Sequence, residues 1–298
     1  MPLFRRKDRK EASAVSPGPT DAGHRRAVDN DLDWRGYDAV AATYARTLGA
    51  QMAIPAADLV KLAEITQGAR VLDVGTGTGA AARAASEAGG SERLVVGIDP
   101  SLPMLAIAHR EGGGPLFAAA SAIDLPFRDG AFGFVLANFV LSHFTRFETA
   151  LFDMLRVLRQ GGRMAVTAWG PGDDQDEFSK AWMSVAEEFA EHEMLQDAHD
   201  RALPWEERFS DSSRLKEVLH EAGLRDIWVE TRDYRFELSA EEYLAGRDIT
   251  SAARFLRQML GEELWHTFRQ RTRAVFAERF PARFNDFRDV VFAVGHKP

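Results

Sequence analysis

The sequence predicts an α/β protein whose core is a doubly wound, mostly parallel sheet. Residues 69–80 carry the first observation. Val71, Leu72 and Val74 form a short apolar run, Gly75, Gly77 and Gly79 follow at alternate positions, and the small residues 80–85 read as a helix. Strand, glycine turn and helix open a βαβ unit; glycine supplies the backbone angles of the turn and lets a ligand approach the main chain. The second observation is an apolar run, 93–99, that ends in Asp99, 24 residues beyond Gly75. In sheets of this class a carboxylate at that distance accepts the hydroxyls of a ribose. Third, strand-like and helix-like segments keep alternating as far as Trp169.

With 298 residues, 45% of them apolar, the chain has material for one large domain or two small ones and for a sizeable core. No run approaches the roughly 18 apolar residues of a membrane helix. The first ten residues are basic but lack the apolar centre of a signal peptide, so a cytoplasmic protein without a membrane span is expected. The absence of cysteine removes disulfides, thiolate metal sites and thiolate nucleophiles, and no metal is expected. A net charge of −8 argues against a nucleic-acid partner, because phosphate binding favours a basic face.

Residues 1–30 read as a disordered tail and 31–298 as the folded domain. From Asp33 the apolar positions Trp34, Tyr37, Val40, Ala41, Tyr44 and Leu48 recur at helical spacing. A second helix is expected over 58–66, stopped by Gly68. Strands follow at 71–74, 93–99, 116–121 and 132–138, with Ser101 as the N-cap of a helix after the second. An amphipathic helix over 147–158 and the turn at 159–162 lead to a fifth strand, 162–169. Beyond Trp169 two segments leave this pattern, at about 172–208 and 239–284, and each is expected to be helical. A core helix over 215–222 and a long alternating strand, 224–238, separate them, and a strand from Asp286 closes the chain.

The glycine stretch fits a dinucleotide fingerprint, Gly75-x-Gly77-x-x-Ala80, and so an NAD(P)-dependent oxidoreductase. Asp73 opposes that reading, since a carboxylate would face the pyrophosphate. The whole stretch, Val71-Leu-Asp-Val-Gly-Thr-Gly-Thr-Gly79, resembles the first motif of class I S-adenosylmethionine (SAM) dependent methyltransferases. Further segments agree in order and spacing: Asp99-x-Ser101-x-x-Met104, Ser121-Ala-Ile-Asp-Leu-Pro-Phe-Arg-Asp-Gly-Ala-Phe132, and Leu155-Arg-Val-Leu-Arg-x-Gly-Gly-Arg-Met164. The chain is most similar to the group of quinone C-methyltransferases and natural-product small-molecule methyltransferases. The resemblance implies a seven-stranded Rossmann-like sheet, with the last two strands antiparallel and a helical lid between them.

It also implies a cofactor site. Asp73, Gly75, Thr76, Gly77 and Gly79 would hold the methionine end of SAM and Asp99 the ribose hydroxyls. Pro100, Met104, Ser121, Ala122 and Ile123 would surround the adenine, with Asn138 facing the methionine end and Tyr44 on the helix that caps the cofactor. Ser121 stands where the family usually has an acid bonded to the adenine amino group, so backbone groups of Ala122 and Ile123 take on more of that contact; Asp124 reads equally as a turn residue. Gly133 also replaces an acid, at the far end of its strand. The sequence Ala137-Asn-Phe-Val-Leu-Ser-His143 lacks the Asn/Asp-Pro-Pro-Tyr/Phe motif of enzymes that methylate nucleic-acid amines. Without cysteine, methyltransferases that attack pyrimidine C5 through a thiolate are excluded.

Two readings stand for Tyr37 and Tyr44, core packing or lining of the site. His143 lies at the carboxyl edge of the sheet, with an ordinary pKa near neutrality, and is the candidate base. Both helical segments carry bulky apolar residues: Phe178, Trp182 and Phe189, then Phe255, Met259 and Trp265. They form a lid over a small, largely apolar acceptor, or they merely attach the helices to the sheet. Arg254, Arg257, Arg269, Arg271, Arg273 and Arg279 belong to a solvated face or meet an anionic substrate. A SAM-binding protein that regulates a partner without catalysis is the third functional class. The methylated atom, the acceptor and the oligomeric state stay open.

Overall fold

The apolar runs of this chain form seven strands because each is bounded by a glycine, a proline or a helix cap. A computed structural model describes residues 36–172 and 176–298; the expected tail, Trp34 and three residues of the acidic stretch, 173–175, lie outside the described residues. The elements in chain order are α1 (Ala41–Thr47), α2 (Gly49–Leu62), β1 (Arg70–Val74), α3 (Ala80–Ala88), β2 (Leu94–Asp99), α4 (Leu102–Glu111), β3 (Leu116–Ala119), β4 (Phe132–Asn138), α5 (Phe147–Val157) and β5 (Leu158–Trp169). Then come α6 (Glu177–Ala186), α7 (His192–Ala202), α8 (Glu206–Ser210), α9 (Ser212–Glu221), β6 (Arg225–Ser239), α10 (Ala240–Arg247), α11 (Ser251–Arg279) and β7 (Arg283–His296).

The sheet order is β3-β2-β1-β4-β5-β7-β6. Strands β3, β2, β1, β4 and β5 are parallel, β7 is antiparallel to β5, and β6 is antiparallel to β7. The chain winds outward from β1 to β3 and then returns beside β1 as β4. A crevice therefore opens between β1 and β4 at the carboxyl edge, where open α/β sheets bind ligands. Both faces are covered. On one, α2 and α3 set Leu59, Val60 and Ala82 against Val71, Leu136 and Phe292. On the other, α5, α8 and α9 set Leu151, Met154, Phe209 and Leu219 against Leu72, Val135 and Val166. Among the described residues no helix is long and apolar enough to cross a membrane.

Strand β7 pairs with β5 only over Val290–His296, yet its pairing with β6 continues from Asp289 back to Arg283. This two-stranded ribbon overshoots the carboxyl edge. On it sits a cap with its own core: Trp182 and Val185 of α6, Leu195 of α7, Phe236 and Leu238 of β6, Tyr243 of α10, Trp265, Phe268 and Phe276 of α11, and Phe284 of β7. Trp182 is 1% exposed and Trp265 5%. Their rings stack on one another's neighbour Phe268, at 5.6 Å edge-on for Trp182 and 5.1 Å stacked for Trp265. Phe189 meets the same ring edge-on at 5.6 Å, and Phe178 stacks on Phe284 at 3.9 Å.

Several boundaries differ from those expected. Helix α2 starts nine residues early (Gly49 against 58) and runs through Pro55. The proline forfeits one backbone bond, but Met52, Pro55, Ala56, Leu59 and Val60 are all buried on one face, and that burial outweighs it. The pairing of β5 begins at Leu158 rather than Gly162, with a register shift opposite Phe132–Phe134. Lys297 secures the shift by donating from Nζ to the carbonyls of Leu155 and Leu158, while its own carbonyl accepts from Gly161 N–H at 2.8 Å. The insertion after β5 is three helices instead of one, and α11 kinks at Gly261, whose φ is +69°. Ser239 caps α10 in a reciprocal capping box with Glu242.

Candidate cofactor and acceptor site

The turn after β1 is held by its own polar groups. Asp73 is 1% exposed, and its Oδ2 accepts the Thr76 hydroxyl at 2.6 Å, while Thr76 N–H donates to the Ile98 carbonyl at 2.9 Å. Burial raises the Asp73 pKa to about 7, against the Thr76 hydroxyl and the nearby Ala82 amide, which favour the charged form. Oδ1 of Asp73 has no hydrogen-bond partner. Gly75, Gly77 and Gly79 all take positive φ, at +67°, +53° and +87°. Their surroundings differ. A Cβ on Gly75 would lie 2.2 Å from Cγ2 of Val140, whereas one on Gly77 would meet nothing within 4 Å. Gly75 is thus required by packing within the protein; Gly77 faces open cavity.

Asp99 at the end of β2 receives Gly77 N–H on Oδ2 at 2.9 Å and Ser101 N–H on Oδ1 at 2.8 Å. Burial raises its pKa, and the two amides oppose the rise. Each oxygen keeps acceptor capacity for a further donor. Ser101 caps α4 by accepting Met104 N–H, and Met104, 3% exposed, packs with Tyr37, Tyr44 and Ala41. Ser121, Ala122 and Ile123 form the turn after β3; the Ser121 carbonyl accepts Asp124 N–H. Asp124 does not line the cavity, which supports its turn reading. At the end of β4, Asn138 Oδ1 accepts the Thr167 hydroxyl at 2.8 Å, and the same hydroxyl accepts Phe139 N–H at 2.9 Å. Phe139 adopts φ +53° and stacks on Trp169 at 4.2 Å.

Of the residues assigned to the cofactor from sequence, all but Gly79 line one cavity of about 1650 Å³, which runs from the glycine turn to the underside of the cap. Gly79 instead packs against Arg83, Phe117 and Ala108. His143 and Tyr37 lie in the same cavity, with ring centroids 5.5 Å apart, and Tyr37 meets Tyr44 edge-on at 6.0 Å. The two tyrosines pack on Met104 and also line the cavity. Burial pushes the His143 pKa down to about 4, opposed by Glu206, in contrast to the near-neutral value expected from sequence. The ring is neutral at physiological pH and free of a positive charge that would repel a cation.

Sequence reasoning missed Glu206 and His199 as cavity residues, and named Arg254 only among arginines of a solvated face or of a site for an anionic substrate. Arg254 bonds the Gly36 carbonyl and lies over the Tyr37 ring at 4.8 Å. Glu206 meets Nε2 of His199 at 2.8 Å, and that bond raises the His199 pKa. Trp205 beside it donates to the Phe144 carbonyl at 2.8 Å, tying α8 to the His143 turn. Nothing in the linear order places 199–206 beside 143; the positive φ of Phe139 is equally invisible there. Conversely, Phe178, Trp182, Phe189, Phe255, Met259 and Trp265, read from sequence either as a lid over the acceptor or as mere attachments of the helices, do not line the cavity. They hold the cap together or, as with Met259 at 39% exposed, face outward. The helical arginines are mostly paired: Arg257–Glu262, Arg269–Asp248, Arg271–Glu188 and Arg273–Glu241. That is the solvated face.

His143 also gives a pH prediction. Its folded pKa lies below the ordinary value of about 6.5, so the unfolded chain binds the extra proton between these values. The stabilisation from keeping the ring neutral is complete above about pH 6.5 and is lost as pH falls toward 4. The loss is about 1–3 kcal/mol, discounted because part of the ring meets the cavity. Chemical denaturation of His143→Gln across this window should show a shallower loss than the parent; parallel curves would remove His143 as its source.

A seven-stranded sheet with an antiparallel β7, a glycine turn after β1 and an acid ending β2 defines a class I methyltransferase-like fold. Residues 72–166 match the family described as "Methyltransferase domain". The demethylmenaquinone methyltransferase of Thermus thermophilus is 45% identical over 107 residues, 34% of this chain and 48% of that protein. That of Parafrankia sp. is 35% identical over 170 residues, 50% of this chain and 60% of that protein. The match therefore spans about half the length of these curated relatives. A putative methyltransferase structure from Bacillus halodurans shares the fold, with a TM-score of 0.53 at 18% identity, covering 82% of this chain and 98% of that one. So does phosphoethanolamine N-methyltransferase 2 of Haemonchus contortus, solved with S-adenosyl-L-methionine, at a TM-score of 0.53 and 17% identity, covering 90% and 60%.

Proposed function

We propose that the protein is a SAM-dependent methyltransferase acting on a small organic acceptor. The observation that carries the reading is the cradle at the glycine turn: a Gly77 flank with open space, an Asp99 carboxylate facing the same cavity, and a buried Asp73 oxygen without a partner. The methyltransferase domain match over 72–166 covers the same elements. These residues fit SAM. Asp99 would accept the ribose hydroxyls, Gly75 and Gly77 would pass the main chain close to the ligand, and Asp73 would support its amino group. Met104 and Ile123 offer apolar surface to the adenine, with Ser121 and Ala122 contributing neutral polar groups and Pro100, Thr76, Asn138 and Tyr44 completing the wall.

When bound, SAM supplies an electrophilic methyl group on a sulfonium, already a good leaving group. The protein's share is then positioning and exclusion of water. The cap covers the carboxyl edge and leaves room for an acceptor beyond the cofactor. Leu48, Met52, Met183, Leu195, Leu203 and Ile249 give that space apolar walls suited to an organic body. His143, neutral and in the same cavity, is placed to take a proton from an acidic acceptor group. The demethylmenaquinone methyltransferases among the relatives make an aromatic acceptor a natural first choice for assay.

Titration calorimetry with S-adenosylhomocysteine and with NADH tests the reading. Binding of the former and not the latter supports it; the reverse overturns it. Asp99→Ala should weaken S-adenosylhomocysteine binding at least about tenfold. Charge-assisted hydrogen bonds contribute about 1.5–3 kcal/mol each, and about 1.4 kcal/mol is a decade. An unchanged dissociation constant in a folded variant would remove Asp99 from the site.

A further inference from the structure

We propose that the acceptor carries an oxyanion group, a carboxylate or phosphate monoester, bound by Arg247 at the cap end of the cavity. The proposal rests on the methyltransferase reading above and names the substrate class of the same site. Tyr243 and Arg247 lie four residues apart on α10, hence on one face of the helix, and both line the cavity. The Arg247 guanidinium sits over the Trp182 ring at 4.6 Å, and its Nε is buried with no hydrogen-bond partner. Among the described residues no carboxylate pairs with it, whereas Arg201 pairs with Asp197 and Arg288 with Asp286, and the four α11 arginines above have partners of their own.

The neighbouring acids are already engaged. Asp286 holds Arg288, Asp176 accepts the first amides of α6, and Glu242 accepts Ser239 in the capping box. Glu206 meets His199. Lys180 lines the same cavity and makes no ion pair among the described residues. The Tyr243 hydroxyl is buried without a partner, and burial pushes its pKa up to about 12, so it remains a donor. The cap end therefore holds a guanidinium without a carboxylate partner and a buried free hydroxyl, Arg247 and Tyr243, beside acids that are engaged elsewhere. A planar guanidinium flanked by an aromatic ring is suited to two parallel hydrogen bonds with an oxyanion. The acceptor that fits has an apolar body, its reactive atom toward His143, and an acidic group at the far end.

The test uses the full chain saturated with S-adenosylhomocysteine. It is titrated with 6-hydroxy-2-naphthoate, the corresponding primary amide and 2-naphthyl phosphate. The acids should bind at least about tenfold more tightly than the amide, the scale of one charge-assisted contact. Arg247→Gln should bring that ratio close to one, and Arg247→Lys should retain part of it, while S-adenosylhomocysteine affinity is held. Acids that bind no better than the amide, or not at all, overturn the proposal in the parent protein, without recourse to a variant. A preference that survives Arg247→Gln overturns the assignment to Arg247. Failure to bind S-adenosylhomocysteine in the same titration would instead sink the methyltransferase reading.

Discussion

Gly77→Val is expected to yield a folded protein that has lost at least about a hundredfold in S-adenosylhomocysteine affinity, roughly 3 kcal/mol. The free structure has space for the side chain, since a Cβ at Gly77 meets nothing within 4 Å. The space it would fill is the cavity, so the ligand bears the clash. The backbone at φ +53° adds strain of about 1–2 kcal/mol to folding for any residue with a Cβ. Gly77→Ala should accordingly show the strain with a smaller binding defect. Calorimetry and thermal unfolding on the pair separate the two effects. Unchanged affinity in Gly77→Val would mean that this turn does not cradle the cofactor. The contrast is Gly75, where a Cβ would strike Val140 and a substitution damages the fold itself.

The second large effect is structural. Trp182→Ala should destabilise the protein by about 3–5 kcal/mol, the usual cost of emptying a large aromatic site in a core. Trp182 is 1% exposed, packs edge-on against Phe268, and carries the Arg247 guanidinium on its face. Denaturant unfolding measures the loss. A drop below about 1 kcal/mol, which is ordinary for an exposed site, would show that the cap does not depend on this residue for its core. Because the cap also covers the cavity, its loosening should reduce acceptor binding before it affects the cofactor end.

The division between sequence and tertiary structure follows the range of the interactions. The half of the cavity around the glycine turn was legible because its determinants are local. A strand, a turn that needs glycine, and an acid at the end of the next strand occupy fixed spacings, and Asp73, Gly75, Gly77, Asp99 and Met104 appear where the pattern places them. Strand β4 was read to the residue for a similar reason: seven positions between a glycine turn and a polar exit, almost all buried. Where local rules met long-range burial the sequence misled. Pro55 lies inside α2 because the helix face it shares is covered by the sheet.

The half of the cavity under the cap was decided by tertiary structure alone. An apolar stripe at helical spacing states that a helix buries a face, but not against what. The stripes of α6 and α11 bury theirs against each other and against the ribbon of β6 and β7, so Trp182 and Trp265 hold the cap together and leave the cavity wall to others. The pKa of His143 depends on how many neighbours exclude water from it, which composition does not encode. Arg247 stands out only once Arg201, Arg288 and the paired arginines of α11 have been matched with their carboxylates, a bookkeeping of contacts that includes residues far apart in the chain. Spacing along a strand or helix is written in the sequence; which side chains share one desolvated space is written only in the fold.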